Sequence, residues 1–308
     1  MSDPDVVAAE ARYTRLSELP FVSYKSQGNA VSGFFSSLKD VLGRRELLGQ
    51  LVRRELVGKY KDSALGLVWS LVRPLTQLFI YYLVIGKFLG AARGIDNFAV
   101  FIFCGLTIYG LFSETVTSMT SSVVSNSGLI KKVHLPREVF PLAAAGASLF
   151  NFAIQLIILL IAALLIGTIS VGTNLLFAFA AFFVIMVWAL ALGLTLSAAN
   201  VFMRDIQFLT DVVMMLLMWF SPILYSWTFV RETFGDMGLD WLTSIYMANP
   251  ITIAVIGFQE AFWAIPSGGE LLPDLWLRML IAGLVGLVAL WAAQRYFARR
   301  QANFAQEL

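Results

Sequence analysis

Apolar residues in this chain gather in long blocks rather than in the short alternating runs of a soluble fold. Six blocks, residues 65–89, 98–119, 140–166, 175–199, 208–227 and 275–297, are almost continuously hydrophobic. A hydrocarbon layer about 30 Å thick is crossed by roughly 20 residues of helix, so each block is long enough to span a membrane. A seventh stretch, 241–265, is broken by Asn249-Pro250 and carries Gln259 and Glu260. Neither half is long enough to cross, and proline removes a backbone donor and bends the chain. The pattern predicts an all-α membrane protein with six transmembrane helices and a re-entrant pair of short outer helices between spans five and six.

Ahead of the first block, Leu38, Val41, Leu42, Leu48, Val52 and Leu56 recur at helical spacing, while Arg44, Arg45, Arg53, Arg54 and Lys59 supply positive charge. This predicts an amphipathic interfacial helix over about 34–60. It serves either as a basic anchor on anionic lipid or as a moving part beside a pore or partner. The chain thus divides into an N-terminal cytoplasmic segment (1–64), a six-span domain (65–297) and a tail (298–308).

Composition sharpens the assignment. Hydrophobic residues make up 58% of the 308 and charged ones 14%, against about 25% charged in soluble domains. Such a chain lacks the polar surface for a secreted scaffold, a disordered tail or a nucleic-acid binder. Its net charge is +2, yet of the 22 Lys and Arg seventeen fall in 1–64, the 131–137 loop, Arg204 and the last fourteen residues. Basic residues in short loops are retained inside, which puts both termini in the cytoplasm. The single cysteine, Cys104, can form no intrachain disulfide, and the single histidine, His134, lies in a polar loop, so no metal site is expected.

Polar groups inside the blocks are the candidates for function, because ionisable side chains are costly in lipid. Arg73-Pro74 should bend the first span. Glu114, flanked by Ser113, Thr115, Thr117, Ser118, Thr120, Ser121 and Ser122, makes a stripe suited either to a helix–helix contact or to a polar passage. Trp69, Tyr81, Tyr82, Tyr109, Phe112, Trp219 and Tyr225 belong either to interfacial belts or to a surface on which a sugar ring could stack. Enzyme motifs are missing. The pairs Gly58-Lys59 and Gly86-Lys87 have Arg53 and Tyr81 where a phosphate-binding loop needs its first glycine, and neither H-E-x-x-H nor G-x-S-x-G occurs.

Two segments carry a resemblance. Residues 58–75, GKYKDSALGLVWSLVRPL, and 126–142, NSGLIKKVHLPREVFPL, resemble the permease subunits of ABC-2-type polysaccharide exporters, as do Arg204-Asp205 and Asn249-Pro250 at their places. The resemblance implies a half-transporter that pairs with a second copy of itself and with two copies of a cytoplasmic ABC ATPase. ATP and Mg would then be bound by the ATPase, with no cofactor in this chain. The substrate it implies is a polyprenyl-pyrophosphate-linked glycan of the O-antigen, teichoic acid or galactan type; the Ala, Arg and Gly bias of a GC-rich genome favours galactan. By the same resemblance Leu129, Lys131, Lys132, Pro136, Arg137 and Glu138 form a coupling helix on the ATPase, with Arg204 and Asp205 as a second contact. The 38–60 helix becomes a gate whose Arg44, Arg45, Arg53, Arg54, Lys59 and Tyr60 face the lipid pyrophosphate, joined to the first span by a Leu65-Gly66 turn. Glu114 and the seven aromatic residues would line the glycan passage. Alternatives are an ABC-2 exporter of drugs or simple lipids and a membrane enzyme acting on polyprenyl lipids.

Overall fold

A computed structural model describes residues 43–61, 66–132, 135–168, 172–263 and 272–308. Among them there is no strand. In chain order the helices are α1 (Arg45–Tyr60), α2 (Trp69–Tyr81), α3 (Phe98–Ser125), the one-turn α4 (Ser127–Ile130), α5 (Val139–Ile166), α6 (Leu175–Phe202), α7 (Ile206–Trp219), α8 (Trp227–Asp236), α9 (Asp240–Ala248), α10 (Pro250–Phe262), α11 (Leu275–Arg300) and the one-turn α12 (Phe304–Glu307).

The axis of the bundle is α3, which packs against α5, α6, α7 and α10. Its apolar stretch is 78% buried, against 22% for α5 and 28% for the α11 span, so α3 is sheathed by protein while the other two turn broad faces outward. Small residues let the helices close up, as van der Waals contact requires where lipid offers no hydrophobic drive. A side chain on Gly193 would start 2.5 Å from Met119 Sδ, and one on Gly105 3.1 Å from the Ile223 Cα. Side-chain amides and an indole add bonds between helices: Asn200 Nδ2 donates to the Thr120 carbonyl (3.1 Å) and Trp188 Nε1 to the Ala282 carbonyl (3.0 Å).

Among the described residues four helices, α3, α5, α6 and α11, are long and apolar enough to cross a membrane, or five spans if α9 and α10 are counted as one broken span. The two remaining expected spans are shorter than their apolar blocks. The block 208–227 holds the 14-residue α7, which stops at Trp219. Pro222 has no N–H with which to continue the ladder, and Ser226 Oγ accepts from Thr228 N to start α8. The block 65–89 holds the 13-residue α2, which passes through Pro74, and a 7-residue π-helical continuation, Tyr82–Phe88. By contrast α3 runs six residues past its expected end at 119. There Thr117, Thr120 and Ser125 return their hydroxyls to carbonyls one turn back at 2.8–3.0 Å, which satisfies polar groups without breaking the helix.

The break in 241–265 falls where the sequence puts it. Asn249 is extended (ψ 120°), as the residue before a proline prefers, and its Oδ1 accepts from Ile251 N at 3.0 Å to cap α10. The two helices meet at 78°. The amphipathic segment is helical from Arg45; its expected part before residue 43 lies outside the described residues.

The glycine seam makes a direct prediction. Gly105→Val should lower stability by about 1–3 kcal/mol through overpacking, because Ile223 backbone cannot retreat. Gly128→Ala, with nothing within 4 Å, should leave it unchanged, and thermal unfolding of the detergent-solubilised protein distinguishes the two.

Candidate functional site

The polar side chains converge where α1 crosses the bundle. Helix α1 lies on α5, with Val52 filling the space above Gly146, where a Cβ would be 2.7 Å from Val52 Cγ2. Leu51 is buried in the same contact, and Arg44, Arg45 and Arg53 are exposed. Two polar links hold α1 to α3. Lys59 Nζ lies 2.8 Å from Glu114 Oε1, which also accepts from Asn151 Nδ2 of α5 at 2.5 Å. Arg54 donates to Asn126 Oδ1 at the end of α3, and Asn126 Nδ2 donates to the Ser122 carbonyl at 2.8 Å.

Glu114 lies about 16 Å along α3 from its Ser125 end, at 1.5 Å per residue, well inside a span. A carboxylate at that depth needs a partner, and here Lys59 and Asn151 supply the charge and the donor. Of the stripe around it, Thr115, Thr120 and Ser122 are buried in helix contacts, while Ser113, Thr117, Ser118 and Ser121 are half-buried.

The seven aromatic candidates separate into two groups. Phe112 has no exposed surface and Tyr109 almost none; the Tyr109 hydroxyl donates to the Met214 carbonyl and ties α3 to α7. Trp69 and Trp219 are exposed, and Tyr81, Tyr82 and Tyr225 half-buried. Gln77 Nε2 and the Tyr81 hydroxyl lie 3.7 and 3.9 Å from Met218 Sδ, which joins α2 to α7. The Tyr225 hydroxyl donates to the Trp219 carbonyl at 2.7 Å, and Lys87 Nζ stands 5.5 Å from the Tyr82 ring centre. Helix α7 buries only Thr210 and Met214. It and α2 therefore present a wide uncovered face bearing Trp69, Phe79, Phe208 and Trp219.

At the pole where α3 ends, the expected coupling segment is not one helix. Among its described residues it is the single turn α4, a turn at Lys131-Lys132 and a second turn at Arg137-Glu138 that leads into α5. Lys131 and Lys132 are exposed and Leu129 and Pro136 half-buried, as are Arg204 and Asp205 exposed beyond α6. Arg137 and Glu138 turn inward: the Arg137 guanidinium is 5.9 Å from the Phe304 ring centre, and buried Glu138 accepts from Gln294 Nε2 at 3.0 Å. Gly66 takes φ +49°, a left-handed conformation that suits glycine, in the turn leading to α2. Leu65, His134 and the side chain of Tyr60 lie outside the described residues.

Sequence reasoning did not single out Asn126, Asn151, Gln77 or Phe304. Asn151 carried a signal, as one of two amides, with Gln155, in the 140–166 block. Phe304, one aromatic among many, carried none.

Residues 46–263, from α1 to the end of α10, match the family model of the ABC-2 type transporter. The chain belongs to that family. Among ABC-2 proteins it is similar to an O-antigen export system permease protein of Myxococcus xanthus, 28% identical over 272 residues that cover 88% of this chain and 98% of that protein. A Klebsiella pneumoniae permease of the same description is 24% identical over 254 residues, covering 79% and 90%. A capsule polysaccharide export inner-membrane protein of Neisseria meningitidis serogroup B is 24% identical over 161 residues, covering 50% and 58%. The family match takes in the whole α1 latch and the bent α9–α10 pair of this ABC-2 protein.

The latch predicts an asymmetry between single and double substitutions. Lys59→Met should destabilise the fold by leaving Glu114 with Asn151 alone, and Lys59→Met with Glu114→Gln should recover much of the loss. A coupling energy of about 0.5–3 kcal/mol is expected from the cycle, read by thermal unfolding; strictly additive effects would remove the latch.

Proposed function

We propose that this chain is the transmembrane permease subunit of an ATP-driven ABC exporter that moves polyprenyl-pyrophosphate-linked polysaccharide from the cytoplasmic to the outer face of a bacterial inner membrane. The observation that carries the reading is the likeness to O-antigen export permeases, which extends over 98% of the Myxococcus protein. The glycan would be of the galactan, O-antigen or teichoic acid type. Both termini would be cytoplasmic, and α2 and α7, with the segments that follow them, would complete six spans.

Physical chemistry supports this reading. A long glycan is too polar for lipid while its prenyl tail belongs there, so the carrier needs a polar passage open sideways to the bilayer. A second copy placed on the α2–α7 face would cover its exposed aromatic residues and enclose Gln77, Tyr81, Trp219 and Tyr225, which acyl chains solvate poorly. Arg44, Arg45 and Arg53, exposed on α1, offer bidentate donors for a pyrophosphate at the membrane surface. Lys131, Lys132 and Arg204, exposed at one pole, would meet acidic residues of two ATPase subunits. ATP and Mg bound there would draw the two turns together and switch the spans between packings as rigid bodies.

Two experiments test it. Lys131→Glu with Lys132→Glu should weaken capture of the ATPase by roughly tenfold per reversed charge, about 1.4 kcal/mol each; undiminished co-purification would exclude this docking surface. Depletion of the chain should leave a polyprenyl-linked glycan on the cytoplasmic side, and its sugar analysis names the substrate. Accumulation of no such lipid would overturn the reading.

A further inference from the structure

The last helical turn is not a loose tail. Phe304, on α12, has no exposed surface. Its ring meets Phe297 of α11 edge-on at 5.3 Å and Phe202, the final residue of α6, at 6.1 Å. Arg137, from the turn between α4 and α5, stands over the same ring. The next residue, Glu138, is bonded to Gln294 of α11, and Arg300 of α11 covers the Phe202 ring at 5.3 Å. One phenyl ring is therefore the common neighbour of the turn that carries Lys131 and Lys132, of the end of α6 and of the end of α11.

We propose that Phe304 is a positioning residue that clamps the 131–138 turn to α6 and α11, so that a displacement of the turn moves both helices instead of being absorbed locally. This rests on the reading that an ATPase docks at Lys131 and Lys132. Its described residues, 131–132 and 135–138, are not helical, and backbone without helix hydrogen bonds transmits a displacement poorly unless side chains brace it. Energy passes between distant sites through packed side chains and rigid elements that have two arrangements, and here the packed side chain is an aromatic ring with a cation on one side and two helices on the others. A cation over a desolvated ring is held more strongly than one in water, which explains why Arg137 faces inward at a pole where Lys131 and Lys132 face out. Phe202 directly precedes the Arg204-Asp205 connection, so both cytoplasmic contacts of the proposed exporter lead to the same ring.

Hydrogen exchange of the full chain, alone and in complex with its ATPase, tests the clamp. In the chain alone, Phe304→Ala and Arg137→Ala should each speed exchange of residues 127–140, the double variant should be no faster than either single, and Arg137→Lys, which keeps a cation over the ring, should match the parent. In the complex, a non-hydrolysable ATP analogue should change exchange both in 127–140 and at the ends of α6 and α11. Phe304→Ala should retain the first change and reduce the second about fivefold or more, the range of an ordinary coupling energy. Parent-like exchange in 127–140, or an undiminished response of α6 and α11, would overturn the clamp. Should Phe304→Ala fail to accumulate, Arg137→Ala, which leaves the ring in place, decides by the same two readouts. If the parent captures no ATPase, the docking reading fails, and exchange of the chain alone still decides whether the clamp exists.

Discussion

A carboxylate inside a membrane span has to be answered by another group, and Glu114 organises its surroundings accordingly. Lys59 comes from α1, Asn151 from α5, and Glu114 itself from α3, the most enclosed of the four long apolar helices. Three elements are thereby set relative to one another by a single charge. The apolar contact of Val52 with Gly146 brings α1 close to α5, but apolar packing is non-directional; the ion pair selects how far along α3 the helix sits. With α1 fixed, its Arg54 meets Asn126 at the end of α3, just ahead of the turn that carries Lys131 and Lys132.

That placement gives the polar residues a division of labour. Those at the surface of α1 and at the short turns stay exposed and are available to anionic partners. Those that enter the bundle are bonded across helices: Glu114 with Asn151, Glu138 with Gln294, and Asn126 with Arg54 of α1. A transporter of polar cargo must keep both kinds apart, since an inward-facing group with an unsatisfied bond would compete for the cargo. On the uncovered α2–α7 face, polar side chains and aromatic rings stand together without a covering helix.

Much of this was legible in the chain. The apolar blocks marked α3, α5, α6 and α11 because the membrane imposes its thickness on sequence, and Asn249-Pro250 marked the bend because proline's chemistry is local. The errors have local causes too: Pro222 ends α7 within a block that hydropathy alone runs to 227, and hydroxyl groups that bond their own helix carry α3 past 119. Pairings were another matter. Nothing near Glu114 in sequence names Lys59 as its partner, and Arg137 and Lys131 look alike in a basic loop. Whether a cation faces a ring or solvent depends on residues more than a hundred positions away, such as Phe304, and periodicity does not encode that.

The helix after the bend has a further meaning for the membrane that holds it. From Ile251 to Phe262 every residue of α10 is buried, and Gln259 Nε2 bonds the Pro222 carbonyl to fasten it to the turn that follows α7. A membrane that stores energy as an ion gradient is short-circuited by any continuous file of water through one of its proteins. Buried from Ile251 to Phe262, α10 fills space that such a file would need.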